Sequence, residues 1–293
     1  MSLDSAEYRG WTRRLLPSSL ACWPIARTAL VLVLRRKLFW LLLALAGMNF
    51  LFVFATIYLK AQISAQNPGI KRFVDQILRS VTGTGETYRD FMFTQGTVTM
   101  LLLAFAGATI VGDDLRQGAL TYYLSRRINK WHYVLGKLLA IGLLVSLTTT
   151  LPALVLYVEY GLLTDSFTYF RENLGILRGI LGYGLALAVT LSLLLFALTS
   201  LLKKTVPLVI IWACIFVLLP AVALLMRQVF KDREWQLLML WRDLRLVGTW
   251  CFGGIDTDNE LALIRPALVI VVGVWVVSAF VIATQVRAVK VVT

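Results

Sequence analysis

Residues that could carry chemistry are few in this chain, and their spacing rules out most of it. The single histidine, His132, has no serine and carboxylate companions arranged for a hydrolase and reads as an interfacial polar residue. The three cysteines, Cys22, Cys214 and Cys251, are too scattered for a metal-ligand cluster or a disulfide framework and read as inert thiols. No Gly-x-x-x-x-Gly-Lys-Ser/Thr phosphate loop occurs, because Gly136-Lys137 runs into Leu138 without the preceding glycine; ATP, if it is used, is bound by another chain. The most informative polar stretch is the break between two apolar runs from Gly107 to Lys137. It holds the acidic pair Asp113-Asp114, then Arg116, the aromatic pair Tyr122-Tyr123, and Arg126, Arg127 and Lys130. Aromatic and arginine side chains are the usual anchors of protein interfaces, and the two aspartates are expected to cap a helix or pair with Arg116 or another arginine rather than to catalyse.

The elements that must position this stretch are apolar. Hydrophobic residues make up 59% of the 293 residues and charged residues 15%, against about 45–50% and about 25% in ordinary globular domains. The mean hydropathy is +0.77. Six apolar runs reach the roughly 20 residues that a membrane helix needs: Leu38 to Leu59, Phe91 to Val111, Val134 to Val158, Leu174 to Leu202, Pro207 to Met226 and Pro266 to Thr284. The expected fold is all-α, a polytopic integral membrane protein with a single transmembrane domain over 1–293. Residues 1–37 form its cytoplasmic and interfacial N-terminus, 38–284 a six-span bundle with outer loops 60–90 and 227–265, and 285–293 a cytoplasmic tail. The net charge of +13 is assigned to lysines and arginines that anchor loops to one leaflet, not to nucleic acid.

Basic residues in the short loops and before the first span place both termini in the cytoplasm. The first span is not a cleaved signal peptide, since about 37 residues precede it and its apolar core is too long. The segment Cys22 to Lys37 is too short to span and ends in Arg35-Arg36-Lys37; it is expected to lie in the interface with Trp23 at headgroup depth, or else to extend the first span. In the first outer loop, apolar residues at 70, 73, 74, 77, 78 and 81 follow helical spacing, and Phe230 to Leu246 is a second amphipathic stretch, followed by a turn-rich segment from Gly253-Gly254. Neither loop is large enough for an independent domain.

Charge inside the spans is scarce, Arg178 being the clearest exception. Gradient-driven transporters bury titratable groups near mid-membrane, and no such group is seen, so a self-contained secondary transporter is not expected. Small and hydroxyl residues at Gly175, Gly179, Gly182 and Gly184, at Thr148 to Thr150, and at Thr190, Ser192, Thr199 and Ser200 either let helices approach closely or wet a polar pathway.

The stretch from Gly112 to Lys137 resembles the cytoplasmic elbow of ABC transporter permeases of the type-2, exporter-like, six-span class. In that family the second span ends in an acidic residue, followed by a glycine, a small residue and leucine, then leucine-like positions, a serine-proline turn, and a glycine-lysine opening the third span. Here Asp114 takes the acidic position, Gly118-Ala119-Leu120 follows, Leu124-Ser125-Arg126 leads the turn, Arg127 stands where proline is often found, and Gly136-Lys137 closes the pattern. The wider layout of interfacial helix, six spans and a longer segment before the last is similar too. The resemblance implies a short coupling helix between the second and third spans, seated on an ATP-binding ABC ATPase subunit present in two copies. Asp113, Asp114, Arg116, Gly118, Leu120, Tyr122, Tyr123, Arg126 and Arg127 would make that contact. It implies a second permease copy as a homodimer or similar heterodimer, a bacterial inner-membrane location, and no cofactor in this chain, since ATP and Mg belong to the ATPase. The expected function is therefore the permease subunit of an ATP-driven exporter of hydrophobic or amphipathic cargo. Two other readings stay open: a membrane-anchored assembly or scaffold protein, and a membrane-embedded lipid-acting enzyme using outer acidic residues such as Asp256 or Glu260.

Overall fold

The computed structural model describes residues 22–66, 83–112, 114, 130–163, 167–202, 204–254 and 258–285. Every regular element among them is helical. In chain order these are α1 (Cys22–Leu34), α2 (Lys37–Gln66), α3 (Gly85–Gly107) with a π turn at Ala108–Gly112, α4 (Lys130–Thr148), α5 (Thr150–Leu163) and α6 (Phe167–Glu172). Then come α7 (Leu174–Leu202), α8 (Thr205–Ala213), a π turn at Cys214–Leu218, α9 (Leu219–Phe230), a short 3-10 turn at Glu234–Leu238, α10 (Leu240–Cys251) and α11 (Asp258–Gln285).

Six of these stretches are long and apolar enough to cross a membrane: Lys37–Lys60, Gly85–Gly112, Lys130–Leu163, Leu174–Leu202, Thr205–Phe230 and Ala262–Gln285. The chain is a multi-pass membrane protein. The fourth span has the bounds its hydropathy predicts, and four of the others run several residues past theirs. The second begins at Gly85 rather than Phe91, bringing Arg89 and Asp90 onto the helix, and the third continues beyond Val158 to include Glu159. The sixth does not open at Pro266, because α11 starts at Asp258 and holds that proline inside. A proline there removes the bond to the carbonyl one turn back and crowds that carbonyl, which membrane helices tolerate where neighbouring groups satisfy the freed backbone.

Two features bend the ladder of helix bonds. The N-terminal helix α1 is distinct from the first span: after Leu34 the chain turns at Arg35-Arg36, and the Trp40 indole donates to the Leu34 carbonyl at 2.8 Å, tying the start of α2 to the end of α1. In the fifth span Pro220 lacks an N–H, and the π turn just before it absorbs the mismatch. Its last bond there runs from Leu219 N–H to the Cys214 carbonyl, five residues back.

The second and fourth spans form the interior, and the first, fifth and sixth turn most of their surface outward. Helix α7 packs on α4 and α11, α2 on α3 and α5, and α1 on α4. Small residues set the close approaches. A Cβ at Gly179 would strike Phe252, one at Gly184 would strike Thr150, and one at Gly107 would meet Leu195 at 2.6 Å. Hydroxyls serve packing in the same way: Thr99 and Thr148 share a 2.8 Å bond between α3 and α4, and Thr190 accepts from the Trp275 indole at 2.7 Å between α7 and α11. Thr199 and Ser200 bond back to their own helix. In water-free surroundings each interhelical bond of this kind contributes about 0.6 kcal/mol.

At the end of the bundle away from the second-to-third connection, Tyr88, Tyr157, Tyr160, Tyr169 and Phe170 pack ring on ring. Gly83, at φ +71°, lies under the Tyr160 ring, and the Tyr169 hydroxyl donates to its carbonyl at 3.2 Å. The amphipathic stretch predicted over Phe230 to Leu246 contains the 3-10 turn and α10, and α10 lies against α11, α7 and α3. It ends at the expected turn, with Gly253 at φ +91° and Gly254 at φ +77°. The helix predicted over 70–81 lies outside the described residues.

Candidate functional site

The connection between the second and third spans is held at both ends by one buried ion pair. Helix α3 runs into the π turn Ala108–Gly112, a form that occurs often at functional sites. Just beyond it, Asp114 meets Lys137, which lies two turns into α4: the Nζ stands 2.7 Å from Asp114 Oδ2 and donates to the Ile110 carbonyl at 2.6 Å. Lys137 is 3% exposed. A buried ammonium needs this many acceptors, because an isolated charge in such surroundings is strongly unfavourable. The Tyr133 hydroxyl donates to the same Asp114 oxygen at 3.4 Å, and its ring lies 5.7 Å from the Lys137 Nζ. The ends of the two spans are therefore locked to each other on either side of residues 115–129.

The residue beside Lys137 does a different job. Gly136 lies against α1, where a Cβ would stand 2.9 Å from both the Cys22 carbonyl oxygen and the Ile25 Cβ. Helix α1 buries Ile25, Ala26, Ala29 and Val33, a single stripe at helical spacing, and leaves Trp23 half exposed on the other side. The glycine and lysine that open the third span thus join three elements: α1 through the glycine, and the end of the second span through the lysine.

Of the residues expected to contact an ATPase, Asp114 is described and sits in this cluster, paired with Lys137. Asp113, Arg116, Gly118, Leu120, Tyr122, Tyr123, Arg126 and Arg127 lie outside the described residues. Asp256 is outside them too.

Two charged features escaped the sequence reading. At the far end, Arg89 is 2% exposed; its Nε donates to Asp90 Oδ1 at 3.0 Å and its Nη1 to Thr249 Oγ1 at 3.1 Å. Arg245 of α10 reaches the same Asp90 oxygen at 3.1 Å and lies over the Phe93 ring. This clamp fixes α10 to the start of the second span. On α10 itself Asp243 is fully buried, and neither carboxylate oxygen has a hydrogen-bond partner among the described residues. Burial pushes its pKa up to about 7 against the opposing pull of Arg242. Asp243 sits between Leu240, Leu244 and Val247 on the buried face, a register that its spacing in sequence already contained.

The second charged feature is a single residue, Glu159, buried near the end of α5. The arginine that sequence singled out, Arg178, is exposed. The cysteines are free thiols, and burial pushes Cys251 up to about 11, so it is protonated at neutral pH. No group of three or more metal-ligating side chains occurs among the described residues. Among known proteins, the chain matches no family model and no curated sequence.

Proposed function

We propose that this chain is the membrane-spanning permease subunit of an ATP-driven ABC exporter. In this reading it sits in a bacterial inner membrane with both termini in the cytoplasm, pairs with a second permease copy, and receives ATP-driven motion from two separate ATPase subunits. The carrying observation is the Asp114–Lys137 pair at 2.7 Å, which joins the two ends of the elbow. A connection clamped at its base moves both spans when it is pushed, whereas a loop free at both ends dissipates the push within itself. Support also comes from α1, which Gly136 holds against the third span at the same place. Closure of the ATPases on ATP would press the elbow, tilt the second and third spans together, and open a path for cargo on the opposite face.

The test lies in the elbow's aromatic pair. A tagged chain carrying Tyr123→Asp should lose its ATPase partner on purification while remaining folded. If the variant retained the ATPase and full transport, the coupling mechanism would be wrong.

A further inference from the structure

Helix α1 and the corner that follows it carry four cations with nothing to neutralise them. Arg27, Arg35, Arg36 and Lys37 are all exposed, and none of them has an ion-pair partner among the described residues. No acidic residue occurs anywhere from Cys22 through Lys60, so a neutralising group cannot come from the same stretch. The corner itself is well tied. Arg35 N–H donates to the Val31 carbonyl at 3.1 Å and Arg36 N–H to that of Val33 at 3.0 Å, Phe39 N–H returns to the Arg36 carbonyl at 3.1 Å, and the Trp40 indole closes the turn on the Leu34 carbonyl at 2.8 Å. Three successive cations are therefore held on a fixed backbone.

Two observations say what meets them. The first is depth: Lys37 opens the first membrane span, which sets the corner at the level of the lipid headgroups. The second is the company the cations keep. Trp23, Arg27 and Val31 follow one another four residues apart on the exposed side of α1, and Arg35 continues that row past the helix end, opposite the stripe of Ile25, Ala26, Ala29 and Val33 that packs inward. Beyond the corner, Trp40 and Leu41 are exposed as well. Apolar and indole side chains beside unpaired cations suit the boundary between acyl chains and phosphates. A soluble acidic segment would satisfy the cations and leave the apolar side chains uncovered.

We propose that the exposed side of α1 and the corner between α1 and α2 bind anionic phospholipid, the phosphodiester headgroups of the leaflet on the elbow side seating on Arg27, Arg35, Arg36 and Lys37. A zwitterionic headgroup brings its own ammonium and gains little there, whereas a headgroup of net negative charge neutralises the patch. Each basic residue at such a surface contributes about fivefold in affinity. Because α1 packs on Gly136, beside the lysine that anchors the elbow, bound lipid braces the base of the elbow from the membrane side. The site depends on the membrane spans and not on the exporter reading.

The test is fluorescence anisotropy of NBD-labelled phosphatidylglycerol and NBD-labelled phosphatidylcholine, each titrated with the full chain in dodecyl maltoside micelles without ATPase or ATP. Wild type should bind the anionic probe saturably and about tenfold or more tightly than the zwitterionic one, and the preference should shrink as NaCl is raised to about 0.5 M. Arg27→Gln should weaken phosphatidylglycerol binding about fivefold and the triple variant Arg35→Gln/Arg36→Gln/Lys37→Gln about a hundredfold, with phosphatidylcholine binding unchanged in both. Lys204→Gln, which alters an exposed cation just before the fifth span, should leave both affinities as they are. Equal affinity of wild type for the two probes would overturn the proposal and point to an acidic protein segment as the occupant. An unchanged preference in the triple variant would overturn it too, as would an equal loss from Lys204→Gln, the mark of diffuse positive charge. Displacement of the probe by millimolar inorganic phosphate would also count against a lipid site, since a soluble anion would then suffice. Should the triple variant fail to fold, Arg27→Gln and the salt dependence decide by themselves. No ATPase enters the assay, so failure here leaves the permease reading untouched.

Discussion

Lys137 and Asp243 illustrate two fates of a buried charge. Lys137 has a carboxylate and a carbonyl within 2.7 Å, so removing it abandons Asp114 rather than merely losing one contact. We expect Lys137→Met to destabilise the protein by about 3–5 kcal/mol and the double variant Asp114→Asn/Lys137→Met to recover much of that loss, as read by thermal unfolding in detergent. Asp243 has no hydrogen-bond donor among the described residues, and its pKa stands at about 7 rather than in the usual carboxylate range. The folded state therefore holds its proton more tightly than the unfolded chain does. Its contribution to stability is fully present below about pH 4, the unfolded value, and is lost as pH rises through about 7. The unfolding midpoint should fall between pH 4 and pH 8. Asp243→Asn should flatten that slope and stabilise the protein at pH 8 by a few kcal/mol, since each tenfold change in proton affinity corresponds to about 1.4 kcal/mol. An unaltered slope in the variant would show that other groups set it.

Elements were more legible in the sequence than the contacts between them. A 20-residue apolar run has essentially one stable form in a bilayer, which is why Leu174–Leu202 agrees with its hydropathy at both ends. The second and third spans ran past theirs because Arg89, Asp90 and Glu159 look like loop residues to hydropathy, whereas on the helices Arg89 and Asp90 sit in a clamp and Glu159 is buried. The Asp114–Lys137 pair was hidden for another reason: its partners lie on opposite sides of a connection, and local spacing carries no information about such a closure. The break between α1 and the first span was partly legible from Arg35-Arg36-Lys37, since three exposed charges favour the end of one helix and the start of another. The placement of α1 depends on Gly136, and Gly136→Val should push Ile25 and the Cys22 carbonyl outward. We expect faster maleimide labelling of Cys22 in that variant with little change at Cys251, whose partly buried thiol is protonated at neutral pH. Unchanged Cys22 labelling would mean that α1 is held elsewhere.

At the scale of the whole molecule, two inner spans are surrounded by three that face mostly outward, with α10 clamped across the far end and α1 across the end that carries the elbow. Such a bundle is braced at both ends. On the permease proposal, a push on the elbow is transmitted through these braces and is not generated in this chain. The central claim is that the energy comes from a second chain. The most direct measurement is gentle purification of the tagged full-length protein from its own membranes, with mass spectrometry of what accompanies it and an ATPase assay on the eluate. The account predicts a stoichiometric ATP-binding subunit and vanadate-sensitive hydrolysis. A well-folded chain that purifies alone and hydrolyses nothing would contradict it, and would shift the weight to a scaffold or a lipid-acting enzyme.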